Sequence, residues 1–201
     1  MLFSIQMNVQ KTDFSAPEAA ATVGELERVL NYYDAHASHE DQYFLSNILK
    51  LEPQLAKAFE DEHIIDHRLS NDLRRQINIW KNSASLKEQE TAGREIFYAL
   101  NAFIAFNLYH MNKEENELLL VLWKHFTDEE IMGMEQQLLA TVPQQDLIEE
   151  SRWMMRSLNT REITEWLGGI KHAAPVPVYE SYVQMASEEL SADRFSTLNL
   201  S

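Results

Sequence analysis

Apolar residues recur along most of this chain at intervals of three and four, the spacing that keeps side chains on one face of an α-helix. Leu26, Val29, Tyr33, Phe44, Ile48 and Leu51 form one such stripe, and Ser15-Ala-Pro-Glu18 ahead of it has the form of a capping box. Pro53 marks a break, because the residue before a proline is pushed out of the helical region. A second helix is predicted from about 54 to 82, with Leu55, Phe59, Leu73, Ile77 and Trp80 inward. After the turn Asn82-Ser-Ala-Ser85, a third runs from about 86 to 126 through Ile96, Phe97, Leu100, Phe103, Ile104, Leu118 and Leu122.

Thr127-Asp-Glu-Glu130 caps a further helix that ends near Val142-Pro143, and shorter helices are predicted over about 144–158, 160–171 and 178–190. Asn159 to Glu162 supplies a cap, and residues 174–178 (APVPV) read as an extended break. Long helices with short connections make an all-α, antiparallel up-down four-helix bundle the expected architecture. It occupies residues 1–142, with residues 143–201 as a helical extension. The opening stretch LFSIQMNV (2–9) has no cap before it and reads as the second half of a shortened first helix.

Composition narrows the chemistry. Seventeen Lys and Arg against 32 Asp and Glu give a net charge of −15, which argues against nucleic acid or an anionic membrane surface as a partner. The absence of Cys removes disulfides, thiolate ligands and cysteine nucleophiles. No apolar run reaches the roughly 20 residues that span a bilayer, and the N-terminus lacks the features of a signal peptide. A soluble, cytoplasmic protein is expected, with homo-oligomerisation open.

The informative pattern is a pair of ligating side chains repeated on three helices at one spacing. The pairs are His36 and Glu40, His63 and His67, and His110 and Glu114. Positions i and i+4 share a helix face with Cβ atoms roughly 5–6 Å apart. Each pair falls within its helix's apolar stripe: Val29, Tyr33, His36, Glu40, Phe44 on the first and Phe103, Asn107, His110, Glu114, Leu118 on the third. Burying six such groups at one level costs heavily unless a cation compensates them. Imidazole and carboxylate together suit iron, manganese or zinc. One such pair alone is more often a solvated contact; three on successive helices reverse that balance.

Counting from the turns places the first two pairs at similar heights. The third lies too far from residues 83–85, which implies a longer connection or a later start for the third helix. His39 reads as surface, His125 and His172 as ordinary polar residues near helix ends, and Trp80, Trp123 and the methionines as packing. Glu62, Asp66 and Glu115 flank the pairs, either as hydrogen-bond partners or, for most of them, as solvated charge. HASHEDQY has Tyr43 where a zinc-protease HExxH motif needs its second His. Gly-rich phosphate loops and GxSxG elbows are absent.

His36-x-x-x-Glu40, Glu62-His63 with His67, and His110-x-x-x-Glu114-Glu115 after an aromatic-rich run together resemble the hemerythrin-like (HHE cation-binding) family, over roughly residues 1–140. The resemblance implies a four-helix bundle around a non-haem di-iron centre. Glu40 and Glu114 would bridge the ions and His36, His63, His67 and His110 would be terminal ligands, with Glu115 the alternative to Glu114. The family's first helix supplies a further His, and none precedes His36 here. That departure implies a weakened second site, recruitment of His39, or water in an open position; a chain that starts late would explain it equally. The function implied is reversible interaction with O2 or a related small oxidant in storage, sensing or protection. The alternatives are a di-iron oxidase or peroxidase-like enzyme and a metal-poor helical interaction module.

Overall fold

A computed structural model describes residues 1–200, and among them every regular element is helical. The chain divides into two compact units, Met1–Ala140 and Thr141–Ser201. Among the described residues, no helix is long and apolar enough to cross a membrane.

The first unit contains α1 (Leu2–Lys11), α2 (Ala19–Glu40), a single π turn π1 (Asp41–Leu45) and α3 (Ser46–Ile48). It continues with α4 (Pro53–Lys81), α5 (Leu86–Lys113), a second π turn π2 (Glu114–Leu118), α6 (Leu119–His125) and α7 (Asp128–Leu139). Pro53 occupies the first turn of α4, where its missing N–H has no helical partner to lose. Ser85 and Thr127 cap α5 and α7 with reciprocal capping boxes. Ser15-Ala-Pro-Glu18 does not cap α2: the helix begins at Ala19 behind Glu18 with no side-chain cap bond. Ser15 instead donates, through its backbone N–H and its hydroxyl, to Asp13 Oδ1, closing a tight turn over Phe14.

Two apolar clusters stack along this unit. The larger joins Leu2, Ile5 and Val9 of α1, Val23, Leu26 and Leu30 of α2, Leu73 and Ile77 of α4, and Ile96, Leu100 and Phe103 of α5. The smaller joins Leu45, Ile48, Ala56, Phe59, Leu118 and Leu122, with Phe126 and Ile131 packed against it. On α2 and α5 the larger cluster precedes the smaller along the chain, and on α4 it follows, so α4 runs antiparallel to both.

The two π turns were not legible in the apolar spacing. Beyond Glu40 the buried residue is Leu45, not Phe44, which is only partly buried. An i→i+5 turn inserts one residue, so the inward face moves from the fourth to the fifth position after Glu40. In π2 the inserted residue likewise puts Leu118 inward, and Leu122 follows four residues on in α6. Both π turns adjoin a carboxylate of the predicted pairs.

The predicted mismatch in depth of the third pair also has a physical answer. The connection is not longer and α5 does not start later. Instead, Asp66 faces Asn107 and His63 faces His110, a register in which the first turns of α5 project past the end of α4. Ala92 is accordingly the first buried residue of α5.

The second unit is built from α8 (Gln144–Ser157), α9 (Thr160–Ala173), α10 (Val176–Glu189) and α11 (Ala192–Ser196). The expected extended break at 174–178 is shorter than read, because α10 already begins at Val176 with Pro177 in its first turn. Met155, Ile163, Leu167, Met185, Ala186 and Leu190 form its core. Arg152 and Arg156 both donate to Glu189, tying α8 to α10.

Candidate metal centre

Between the two clusters of the first unit lies a layer of buried polar side chains: Glu40, His63, Asp66, Asn107 and His110. Each of the three long helices enters it from one apolar cluster and leaves into the other. His36 and Glu114 complete the layer at its edge, half-buried, with side chains 38% and 13% exposed. His63 and His110 are 3% exposed.

The side chains converge. His63 Nε2 lies 3.0 Å from Glu40 Oε2, and His110 Nε2 lies 3.0 Å from Glu114 Oε1 and 3.9 Å from Glu40 Oε2. Glu114 Oε1 is also 3.3 Å from His36 Nε2. The His63 and His110 rings meet edge to face with centroids 5.0 Å apart. Phe59 and Phe106 wall His110, Phe106 stacking on its ring at an interplanar angle of 11°.

Two triads have ligand atoms within 4.8 Å of one another: Glu40 with His63 and His110, and His36 with Glu40 and Glu114. Glu40 belongs to both, and Glu114 touches an imidazole of each. A third group, Asp34, Asp66 and His67, lies beside them. Five of the six sequence-predicted residues are therefore brought together. His67 belongs to the third group instead, 44% exposed and 3.4 Å from Asp34 Oδ1, an acid that Arg74 also holds at 2.6 Å. Glu115 is exposed, and His39 stands outside all three groups. Trp123, expected as packing, is 59% exposed on α6.

Carboxylates that spacing alone did not single out, or left as solvated charge, face the outer nitrogens of the buried imidazoles. His63 Nδ1 donates to Asp41 Oδ1 at 2.7 Å, and His110 Nδ1 donates to Glu62 Oε2 at 2.8 Å. Lys113 bonds the other oxygen of Glu62. With Nδ1 occupied by an outer carboxylate, Nε2 of each ring is directed inward, the arrangement that fixes the tautomer of a metal-binding histidine. The signal in the sequence was adjacency: Asp41 follows Glu40 and Glu62 precedes His63, so each outer acid neighbours a residue of the layer while serving an imidazole on another helix.

Without a cation the carboxylates of the layer favour the protonated form of its imidazoles. Burial by itself pushes the His110 imidazole down, but Glu114 and Glu62 beside it outweigh that and bring it up to about 9. Burial likewise opposes the charge on Glu114, yet His110 and His36 pull its carboxyl down to about 2. His36 and His63 are raised in the same way by their carboxylates against the effect of burial. Asp66 is raised, chiefly by burial, despite the hydrogen bond it accepts from Asn107 at 2.7 Å.

The donor set fits a transition-metal cation. His110 Nε2 is fully buried and forms no aligned hydrogen bond, although two carboxylate oxygens lie within 3.9 Å. A divalent ion replacing the protons would use that nitrogen and separate the facing carboxylates. Imidazole with carboxylate and no thiolate favours iron, manganese or zinc among common ions.

No family model, no curated protein and no solved structure matches this chain.

Proposed function

We propose that the polar layer is a non-haem metal centre, loaded with iron as a pair of ions, in a hemerythrin-like four-helix bundle formed by α1, α2, α4 and α5. The observation that carries this reading is the convergence of His63 Nε2 on Glu40 and of His110 Nε2 on Glu114 and Glu40, with Asp41 and Glu62 holding the opposite ring nitrogens. Two triads sharing Glu40 support two neighbouring ions. Glu40, His63 and His110 would hold one ion, and His36, Glu40 and Glu114 the other.

Iron bound there would supply a ferrous pair able to give up electron density to O2 or a related small oxidant. The residues supply the surroundings. Phe59 and Phe103, fully buried, wall the deep side, and Phe106 stacks on His110. Half-exposed His36 leaves the outer edge open to a small ligand. Tyr33, packed edge-on to Phe103 and His36, is pushed up to about 12 by burial and by the charges of Asp66 and Glu114, so its hydroxyl stays a proton donor throughout the physiological range. Storage, sensing or protection against an oxidant is the function class that follows.

Optical spectra of the anaerobic ferrous protein before and after exposure to air test the reading. It predicts a new near-ultraviolet and visible band on exposure that reverses on removal of the oxidant or on reduction. A spectrum unchanged by air in iron-reconstituted protein would overturn it.

A further inference from the structure

The two triads that share Glu40 are built differently, and the difference bears on how the centre fills. His63 and His110 are 3% exposed, and each has its outer nitrogen bonded by a carboxylate from another helix. His36 is 38% exposed, and among the described residues its only carboxylate within ion-pair distance is Glu114, on the inward nitrogen. Nothing of the Asp41 or Glu62 kind orients its ring.

Three consequences follow from elementary chemistry. A ring held by an outer carboxylate loses less rotational freedom on binding an ion, because its orientation is already set. The carboxylate also makes the imidazole a stronger donor. A buried position is closed to competing water, whereas an exposed one exchanges ligands with solvent. All three act in the same direction on the same triad.

Resting on the metal-centre reading, we infer that Asp41 and Glu62 are positioning residues that make the Glu40–His63–His110 position the tight half of the centre. That half fills first, and the His36–Glu40–Glu114 position is the weaker, exchangeable half. The helices brace each other in sequence: α2 carries Glu40 and, through Asp41 at the start of π1, orients His63 of α4. In turn α4 orients His110 of α5 through Glu62, itself steadied by Lys113. The bracing stops there, which is why one half is rigid and the other open.

The test is titration of the chelator-treated full chain with Co(II), following its visible ligand-field absorption and, in parallel, the heat of binding. Wild type is expected to bind in two phases separated at least tenfold in affinity. Asp41→Asn and Glu62→Gln should each weaken the first phase by about 10–100-fold and alter the spectrum of the first equivalent. Asp41→Glu and Glu62→Asp should restore part of both. His36→Ala should remove the second phase and leave the first within about threefold. Circular dichroism confirms folding, and Glu52→Gln, which disrupts a surface contact with Lys124, serves as a control that moves neither phase. Two equal phases in wild type, unchanged first-phase affinity and spectrum in both amide variants, or loss of the first phase in His36→Ala would each overturn the inference. Absence of any Co(II) binding by wild type would instead overturn the metal-centre reading on which it rests.

Discussion

Raising the pH of the metal-free protein perturbs the polar layer in a calculable way. His110 has an ordinary value of 6.5 and is held at about 9 by Glu114 and Glu62, against the effect of burial. A group whose folded value lies above its unfolded one adds stability that is fully present below the unfolded value and is lost as the pH climbs through the folded one. The affected window is therefore roughly pH 6.5 to 9. At about 1.4 kcal/mol per pH unit, the loss is on the order of 3 kcal/mol. His36 and His63 are raised too and act with the same sign. Glu114, lowered to about 2, contributes at the other end: its stabilisation is present above about 4.5 and fades as the pH falls through about 2. Both values describe one cluster of ion pairs, so the contributions are not additive. At roughly 2–4 °C per kcal/mol for a chain of this size, Tm of the metal-free protein should fall by on the order of 10 °C between pH 6.0 and 9.

Metal reverses the sign, because ions compete with protons for the same nitrogens and apparent affinity rises as those protons leave. The gap in Tm between metal-loaded and chelator-treated protein should widen across that window. Differential scanning calorimetry of both forms, with Mn(II) as the added ion, measures this directly. A metal-free Tm that is flat or rising from pH 6.0 to 8.5 would refute the protonated-cluster argument.

The remaining predictions are structural. Leu45→Ala should destabilise by about 2–5 kcal/mol and Phe44→Ala by clearly less, measured by urea unfolding, because the π turn places Leu45 and not Phe44 inward; the opposite order would mean an uninterrupted α-helix. Gly93→Ala should cost about 1–3 kcal/mol, since a Cβ there would lie 2.3 Å from Phe14 Cγ, and the Phe14 ring is fixed against Trp80. A Gly93→Ala variant as stable as wild type would show that the Phe14 turn moves freely. Asn107→Leu should weaken thermal stability by removing the hydrogen bond to buried Asp66, and the loss should grow from pH 4 to pH 7 as that carboxyl ionises.

Much of the helical plan was readable because burial of one face imposes a period that survives in the sequence. Val29, Leu73 and Leu100 fall where the stripes put them. Pro53, Ser85 and Thr127 marked boundaries because each acts on its own neighbours. Ser15 failed as a cap because Asp13, two residues away, competes for its hydroxyl and its backbone N–H. The i, i+4 pairs were visible for the same local reason as the stripes. Longer-range features were not: Asp41 and Glu62 serve imidazoles on other helices, 22 and 48 residues away, and the register that joins them depends on an overhang of α5 that no local signal reports. His67 stands with Asp34 and Asp66 in the third group and not in either triad around Glu40, a placement set by Asp34, whose partner Arg74 is 40 residues distant. The π turns escaped notice because one inserted residue shifts a pattern without erasing it.

The central claim is that the polar layer exists to hold transition-metal ions, and elemental analysis of wild type beside Glu40→Gln tests it most directly. Glu40 is the one side chain common to both triads, and glutamine keeps its shape while removing the charge. After reconstitution with Fe(II) and removal of loose metal, wild type should retain about two ions per chain and the variant well under one. Wild type that retains no iron, manganese or zinc, or a variant that retains as much as wild type, would contradict the account.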